Sequence, residues 1–245
     1  MVLVSPNKLL LSIFVDKKVV LVDSASHKVL SEIVLQDNPR YVCMTSAHLA
    51  ATTLVNKQIQ FIKVNGSSLE AETTVNVDVD VIGIAAYQNN LVVSHGSPPG
   101  VKIISQDGAV IQKLDNITAG REVFKNPRWI ATTSDDSIYV TDWGTNEITR
   151  LDSNLTILQT LSCDMLKAPH GIISLNREQL LVCNFDNSSV VLVRPHTNSF
   201  TDLLGKQHGI ENPYSSVFAR NRRNFTLRHM GIRFWSSSFR DIICR

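Results

Sequence analysis

Short apolar runs separated by polar segments follow one another along this chain, and the runs recur in pairs. Turn-forming residues (Gly, Asn, Asp and Pro) separate the two runs of a pair. The runs are rich in β-branched and aromatic residues and show no helical i, i+3, i+4 stripe, which favours strands. In five copies the second run starts ten residues after the first: Leu9 and Val19, Leu49 and Ile59, Leu91 and Val101, Ile138 and Ile148, and Leu180 and Val190.

A proline-containing phrase repeats in step with these pairs. It reads "NPRY" at 38–41, "NPRW" at 126–129, "APHG" at 168–171 and "NPYS" at 212–215. The last three prolines are 42 and 44 residues apart, and the first gap, of 88 residues, is twice 44. The segment "VDVIGIAAYQNNLVVS" supplies the missing copy, with Val81 at the proline position. The sequence is therefore built from repeated units of similar length.

Each unit predicts four short strands, as in "RWIATT", "SIYVTD", "EITRLD" and "ILQTL". Four strands in about 40–45 residues are typical of one blade of a β-propeller. The repeat thus predicts an all-β, six-bladed β-propeller. Residues 1–205 hold five recognisable blades, and residues 206–245 hold a divergent or damaged sixth blade or an arginine-rich irregular tail.

Charge separates those two parts of the chain. The whole chain carries a net charge of +2, but residues 1–205 carry −4 and residues 206–245 carry +6. The basic end reads "RNRRNFTLRHMGIRFWSSSFRDIICR", in which Phe225 and Trp235 keep the ten-residue spacing. Either a divergent closing blade or a slipped reading frame would explain this abrupt change of composition.

The cysteines and the apolar runs exclude several classes. The four cysteines are far apart and form no C-x-x-C pair, which argues against a zinc ribbon, a RING domain and a dense disulfide framework. The early run "KLLLSIFV" is too short to cross a membrane. We therefore expect a cytoplasmic protein that does not associate with membranes.

Residues 126–152, "NPRWIATTSDDSIYVTDWGTNEITRLD", resemble the NHL repeat, whose blades run approximately "P-x-G-I-A-V … I-Y-V-x-D-x-x-N-x-R-I-x-x-F". "APHGIISLNREQLLVCNFDNSSVVLV" is a weaker copy, and "GIENPYSSVFA" begins another. The chain is similar to the C-terminal propeller of tripartite-motif (TRIM) NHL proteins, without their RING, B-box and coiled coil. The resemblance implies a substrate- or RNA-recognition module of a ubiquitin-ligase system.

Two other propeller families fit less of the chain. The segment "IYVTDWGTNEI" also resembles a YWTD blade of lipoprotein-receptor ectodomains, but one copy in five shows it. A WD40 propeller would need a G-H … W-D pair in each blade, and this pair does not occur.

One face of a propeller carries both the inter-blade loops and the turns between second and third strands, and this channel face is the usual binding surface. Arginine, tryptophan and tyrosine side chains there are typical of protein-binding hot spots. Tyr41, Trp129, His170 and Phe185 fall on the same face, and the first two have packing between blades as an alternative role. The predicted partner-binding residues are Arg40, Arg128 and Tyr214 from the inter-blade loops, and Lys17, Lys18, Lys57 and Trp143 from the turns.

Catalytic chemistry finds little support in the sequence. A zinc site at His170 would need further ligands at the equivalent positions, which are Arg40, Ile82, Arg128 and Tyr214. Asp142, Asn184 and Asp186 could supply calcium ligands, but they fall at turns that the repeat already explains. No G-x-S-x-G segment occurs.

We therefore expect a non-enzymatic protein-recognition or scaffold propeller with no catalytic residues, no cofactor and no obligatory metal. The protein partner would bind on the channel face. An RNA-binding NHL module is the alternative, and a metal-dependent lyase- or lactonase-like propeller is third.

Overall fold

The computed structural model describes residues 1–115, 117–118, 121–214, 216–220 and 225–229. The chain divides into two compact units, Met1–Arg128 and Trp129–Arg245. The regular structure in both is antiparallel β-sheet, as the sequence predicts. Two short 3-10 helices, Pro195–Thr197 and Lys206–His208, are the helical elements of the described chain. None of the helices described is long and apolar enough to cross a membrane.

The first unit contains three four-stranded sheets, each with its strands in sequence order. The first blade contains β1 Val2–Ser5, β2 Lys8–Ile13, β3 Lys18–Asp23 and β4 Lys28–Val34. The second contains β5 Pro39–Met44, β6 Leu49–Leu54, β7 Gln58–Asn65 and β8 Ser68–Asn76. The third contains β9 Val81–Tyr87, β10 Asn90–Gly96, β11 Pro99–Ile104 and β12 Val110–Asp115, and a small hairpin follows with β13 Ile117–Thr118 and β14 Arg121–Glu122.

The second unit contains two complete blades and a hairpin, and the unit boundary falls inside β15. The fourth blade contains β15 Pro127–Thr132, β16 Ile138–Asp142, β17 Glu147–Leu151 and β18 Ile157–Leu161. The fifth contains β19 Pro169–Asn176, β20 Gln179–Asn184, β21 Ser189–Arg194 and β22 Ser199–Leu204. The hairpin pairs β23 Ser216–Arg220 with β24 Phe225–His229.

The predicted repeat register is confirmed. Pro39, Val81, Pro127 and Pro169 are the first residues of β5, β9, β15 and β19, so the proline phrase begins the first strand of a blade. The number of complete blades differs from the prediction: the described residues form five four-stranded blades, whereas six blades were predicted. Of the predicted sixth blade, β23 and β24 are described, and its remaining residues, including Trp235, lie outside the described part of the chain.

In the first unit the hydrophobic core lies between successive blades. One cluster joins the first and second blades through residues such as Leu10, Leu21 and Ile62, and another joins the second and third through residues such as Phe61 and Leu91. Stacked blades cover both faces of the inner strands, which explains why these strands are continuous apolar runs. The outer strands are more exposed: β8 and β12 present most of their residues to solvent.

A hydroxyl group in the second strand of each of the first three blades binds the next blade. Ser12 Oγ donates to the carbonyl of Arg40 at 3.0 Å, and Thr53 Oγ1 donates to that of Ile82 at 2.9 Å. Ser94 Oγ donates to the carbonyl of Arg128 at 2.8 Å. We call these three side chains the inter-blade hydroxyls. They satisfy carbonyl groups at one buried and two partly buried positions of the first unit, where unpaired groups would cost free energy.

Candidate functional site

The turns between second and third strands hold the adjacent inter-blade loops through hydrogen bonds. Lys17, Lys57, Asn146 and Ser188 occupy equivalent positions in four blades, and all have positive φ, between 50° and 61°. The carbonyl of Lys17 accepts from the Leu35 amide at 2.7 Å, and the carbonyl of Lys57 accepts from the Val77 amide at 2.9 Å. Within each unit the two sets of loops therefore lie at the same end of the blades, as predicted. We call this the loop end.

In the second unit, side chains make the corresponding bonds. Asn146 Oδ1 accepts from the Ala168 amide at 2.7 Å. Ser188 Oγ donates to Asn212 Oδ1 at 3.1 Å and accepts from the Asn212 amide at 3.2 Å. These bonds fix the loops that carry the aromatic residues described below.

Most of the predicted partner-binding cations of the first unit already have carboxylate partners. Lys18 Nζ lies 2.7 Å from Glu32 Oε1, and this contact raises the pKa of Lys18. Lys17 Nζ lies 3.6 Å from Asp37 Oδ1. Arg40 pairs with Asp80 at 2.9 Å. Lys57 is exposed. The positive charge that the sequence places here is thus largely neutralised within the unit.

The second unit brings five rings together around His170. We call Trp129, Trp143, His170, Phe185 and Tyr214 the aromatic cluster. His170 stacks on Phe185, with centroids 4.7 Å apart and planes 16° apart. Its centroid lies 4.9 Å from that of Trp129, 5.1 Å from that of Trp143 and 4.7 Å from that of Tyr214. Trp129 and Tyr214 also meet edge to face at 4.8 Å. Tilted and edge-to-face pairs at these distances are favourable aromatic contacts.

The rings of the aromatic cluster differ in burial: those at its centre are buried and those at its edge are exposed. His170 and Trp129 are 2% and 8% exposed, whereas Trp143 and Tyr214 are 40% and 44% exposed. Phe185 is half-buried. The cluster therefore has a buried base of two rings and presents two large aromatic side chains to solvent at the loop end.

Hydrogen bonds from backbone amides hold the segments that carry the exposed rings. Asp142 Oδ1 accepts from the amides of Gly144 and Thr145 at 2.7 and 3.1 Å, which closes the turn that contains Trp143. The carbonyl of Tyr214 accepts from the amide of Gly171 at 3.1 Å. The exposed rings are thus positioned before any partner binds.

The residues considered for calcium are part of this same framework. Asn184 is fully buried; its Oδ1 accepts from the Lys167 amide at 2.6 Å and its Nδ2 donates to the Met165 carbonyl at 2.7 Å. Asp142 is also fully buried. Asp186 is exposed in the turn after β20. Across the part of the chain that the structure describes, no three His, Cys, Asp or Glu side chains are grouped to hold a metal ion.

The predicted site residues therefore separate into two sets. Trp143 and Tyr214 come together through His170, and the cations Arg40, Lys17, Lys18 and Lys57 lie in the other unit. Arg128 is the last residue of the first unit, and its carbonyl accepts the Ser94 hydroxyl. The sequence placed all five rings on one face but did not show that they pack together. Their shared positions, one or two residues after the proline or directly after the second strand, were the available signal.

No known family matches this sequence, and no curated protein matches it. Many solved structures share its fold. The β-propeller domain of Cps50 (Swd1) from Myceliophteria thermophila is 14% identical, with a TM-score of 0.65, over 94% of this chain and 80% of that one. The fold is a β-propeller.

Two other similar structures have different descriptions. A virginiamycin B lyase from Staphylococcus aureus, solved with quinupristin, is 14% identical with a TM-score of 0.65, over 94% of this chain and 80% of the lyase. A protein of unknown function from Bacteroides caccae is 16% identical with a TM-score of 0.68, over 91% of this chain and 82% of that one. At such low identities the likeness concerns the fold alone, and the NHL resemblance stays a prediction.

Proposed function

We propose that this propeller is a non-enzymatic recognition module that binds a protein partner at the loop end of its second unit. The observation that carries the proposal is the exposure of Trp143 and Tyr214 above the buried His170. Tryptophan and tyrosine dominate protein-binding hot spots because they bury a large area and lose little conformational entropy.

Preorganisation supports the same conclusion. The turn around Trp143 is closed by Asp142, and the loop before Tyr214 is tied to Ser188 through Asn212. Side chains that are already ordered cost less free energy to immobilise on binding. The ordered loops of the second unit therefore offer a preformed surface on which a scaffold protein can hold a partner. In a ubiquitin-ligase system it would select the substrate, and a RING domain would promote ubiquitin transfer.

The virginiamycin B lyase suggests a catalytic alternative, which the loop end supports less well. The buried polar side chains beside the aromatic cluster both accept hydrogen bonds from backbone amides: Asp142 from Gly144 in its own turn, and Asn184 from Lys167 in the loop before β19. Groups engaged in this way hold the loops and are poorly placed to act on a substrate.

A capture experiment tests the proposal. The full-length chain and its Trp143→Ala and Tyr214→Ala variants are used to capture partners from a cell lysate, with and without ribonuclease. Leu158→Ala is the matched control, because Leu158 is 51% exposed on β18 of the same unit. A folded state equal to that of the native chain, checked by thermal melting, is required of each variant.

We expect the native chain and Leu158→Ala to capture the same protein, and ribonuclease treatment should not reduce this capture. Trp143→Ala should bind that protein at least about tenfold more weakly. Equal capture by all four chains would contradict the proposal. Loss of the captured material on ribonuclease treatment would favour the RNA-binding alternative.

A further inference from the structure

We propose that the partner segment that binds the aromatic cluster is cationic, with arginine or lysine side chains placed against Trp143 and Tyr214. This inference rests on the proposed function and specifies the chemistry of the partner. It follows from the charges of the loops that carry the five rings.

These loops are acidic. The connections from β16 to β17, β18 to β19, β20 to β21 and β22 to β23, taken with the flanking strand ends Asp142, Glu147 and Asn184, contain five carboxylates and two lysines. Asp142 is buried and closes its own turn. We call the other four carboxylates the acidic rim. They are Glu147, Asp164, Asp186 and Glu211.

The acidic rim lies on the same short segments as the rings. Asp186 directly follows Phe185, and Glu211 precedes Tyr214 by three residues. Asp164, Asp186 and Glu211 are exposed, and Glu147 is half-buried. The lysines of these segments, Lys167 and Lys206, are fewer than the carboxylates, so these segments carry a net negative charge at neutral pH.

Exposed aromatic faces and carboxylates together favour a cation. The face of a tryptophan or tyrosine ring carries negative potential and attracts a guanidinium or ammonium group. The carboxylates add attraction over a longer range and steer a basic segment toward the rings. The same carboxylates repel a phosphate backbone, which makes RNA the less favourable occupant of this surface.

The fourth blade contains an example of such packing. The guanidinium of Arg150 lies 5.8 Å from the centre of the Tyr139 ring in the fourth blade. At the aromatic cluster Trp143 and Tyr214 expose 40% and 44% of their surface to solvent, which a cation from outside the chain can reach.

Direct binding provides the first test. A short, fluorescently labelled Gly-Ser peptide that carries several arginines is titrated with the full-length protein, and anisotropy is measured. The matched peptide replaces each arginine with citrulline, which keeps the shape and removes the charge. We expect the citrulline peptide, and the Trp143→Leu variant with the arginine peptide, to bind at least about tenfold more weakly.

Charge variants separate a specific site from general attraction. Asp186→Asn with Glu211→Gln should weaken binding of the arginine peptide by about threefold and reduce its salt dependence. Asp202→Asn is the control, because Asp202 is an exposed carboxylate on β22, outside these loops. Equal binding of both peptides, or an equal effect of Asp202→Asn, would overturn the inference.

Competition in the capture experiment distinguishes this inference from the proposed function. The arginine peptide, but not the citrulline peptide, should displace the protein whose capture depends on Trp143. If such a protein is captured and both peptides compete equally or not at all, the partner is not cationic, and the recognition function stands. If no captured protein depends on Trp143 and neither peptide binds, both proposals are wrong.

Binding of a second copy of this chain, seen as salt-sensitive self-association that is lost in Trp143→Leu, would replace the external partner.

Discussion

The guanidinium of Arg40 donates to both carboxylate oxygens of Asp80, from Nη1 to Oδ1 at 2.9 Å and from Nη2 to Oδ2 at 3.1 Å. Nη1 also donates to the carbonyl of Val81, the first residue of β9, at 2.9 Å. Arg40 lies in β5, so one side chain joins the second blade to the start of the third. A cation that the sequence assigns to partner binding thus has a structural contact of its own.

Removal of this contact should destabilise the first unit. We expect Arg40→Ala to lower the free energy of unfolding by about 1 kcal/mol, because a two-point contact is lost at a partly exposed site. Denaturant titration of Arg40→Ala, Asp80→Ala and the double variant measures the coupling between the two side chains. Lys57→Ala is the control, since Lys57 is exposed, and should change stability little. Additive losses in the double variant would show that the pair contributes nothing.

Gly83 is a position where a methyl group has no room. A Cβ atom there would lie 1.9 Å from the Arg128 carbonyl oxygen and 2.7 Å from Ser94 Oγ. We expect Gly83→Ala to cost about 3 kcal/mol or more, because the backbone of the first unit around Gly83 and Arg128 must move.

Gly205→Ala is the comparison for that substitution. The nearest atom to a Cβ at Gly205 is Oε1 of Gln207, at 2.8 Å, and this flexible side chain can rotate away. Thermal melting should show a small change for Gly205→Ala and a large decrease for Gly83→Ala. Similar melting temperatures for the two variants would contradict the close approach at Gly83.

His95 should make stability depend on pH. It is 1% exposed, its Nδ1 contacts the Pro98 carbonyl, and its Nε2 has no hydrogen-bond partner. Burial lowers the pKa of His95 below its usual value. As the pH falls through about 6.5, His95 therefore takes up a proton in the unfolded chain but not in the folded chain. The stabilisation is complete above about pH 6.5 and is lost as the pH falls toward the lower pKa of the folded state.

We expect the melting temperature of His95→Gln to vary less between about pH 7.5 and 5.5 than that of the native chain. His48→Gln changes an exposed histidine and should leave the native profile intact. A native profile that is flat in this range, or one that His95→Gln leaves unchanged, would show that His95 is not the titrating group.

The cysteines should differ in reactivity. Burial raises the pKa of the Cys43 thiol to about 12, and Cys163 is only partly buried. Because the thiolate is the reactive form, iodoacetamide at mildly alkaline pH should modify Cys163 in the native protein and leave Cys43 unmodified. Mass spectrometry of digested samples measures the labelling, and labelling in denaturant provides the control in which both react. Equal labelling in the native state would mean that the second and third blades separate readily.

The strands could be predicted because their signals are local. The runs that start at Leu49 and Ile59, with turn residues between them, correspond to β6 and β7. The pairing of Arg40 with Asp80 could not be predicted from the sequence. It depends on the position of the loop before β9, which is 40 residues further along the chain. The aromatic cluster depends in the same way on the packing of the fourth and fifth blades and the loop that follows.

The inter-blade hydroxyls could have been recognised in the sequence, because a hydroxyl residue recurs at one position of the repeat. Ser12, Thr53 and Ser94 lie directly opposite Val19, Ile59 and Val101 in their sheets. Thr141 faces Ile148 and Cys183 faces Val190 in the same register, so a hydroxyl recurs in four of the five described blades. An alignment of the units by their second strands would have shown this column, although not the carbonyl group that each hydroxyl binds.

The inter-blade hydroxyls also have a consequence for synthesis on the ribosome. Each bond points toward the C terminus: Ser12, Thr53 and Ser94 reach carbonyl groups 28, 29 and 34 residues later in the chain. A growing polypeptide leaves the exit tunnel N terminus first. Each of these hydrogen bonds can therefore form only after its acceptor residue, Arg40, Ile82 or Arg128, has emerged from the ribosome.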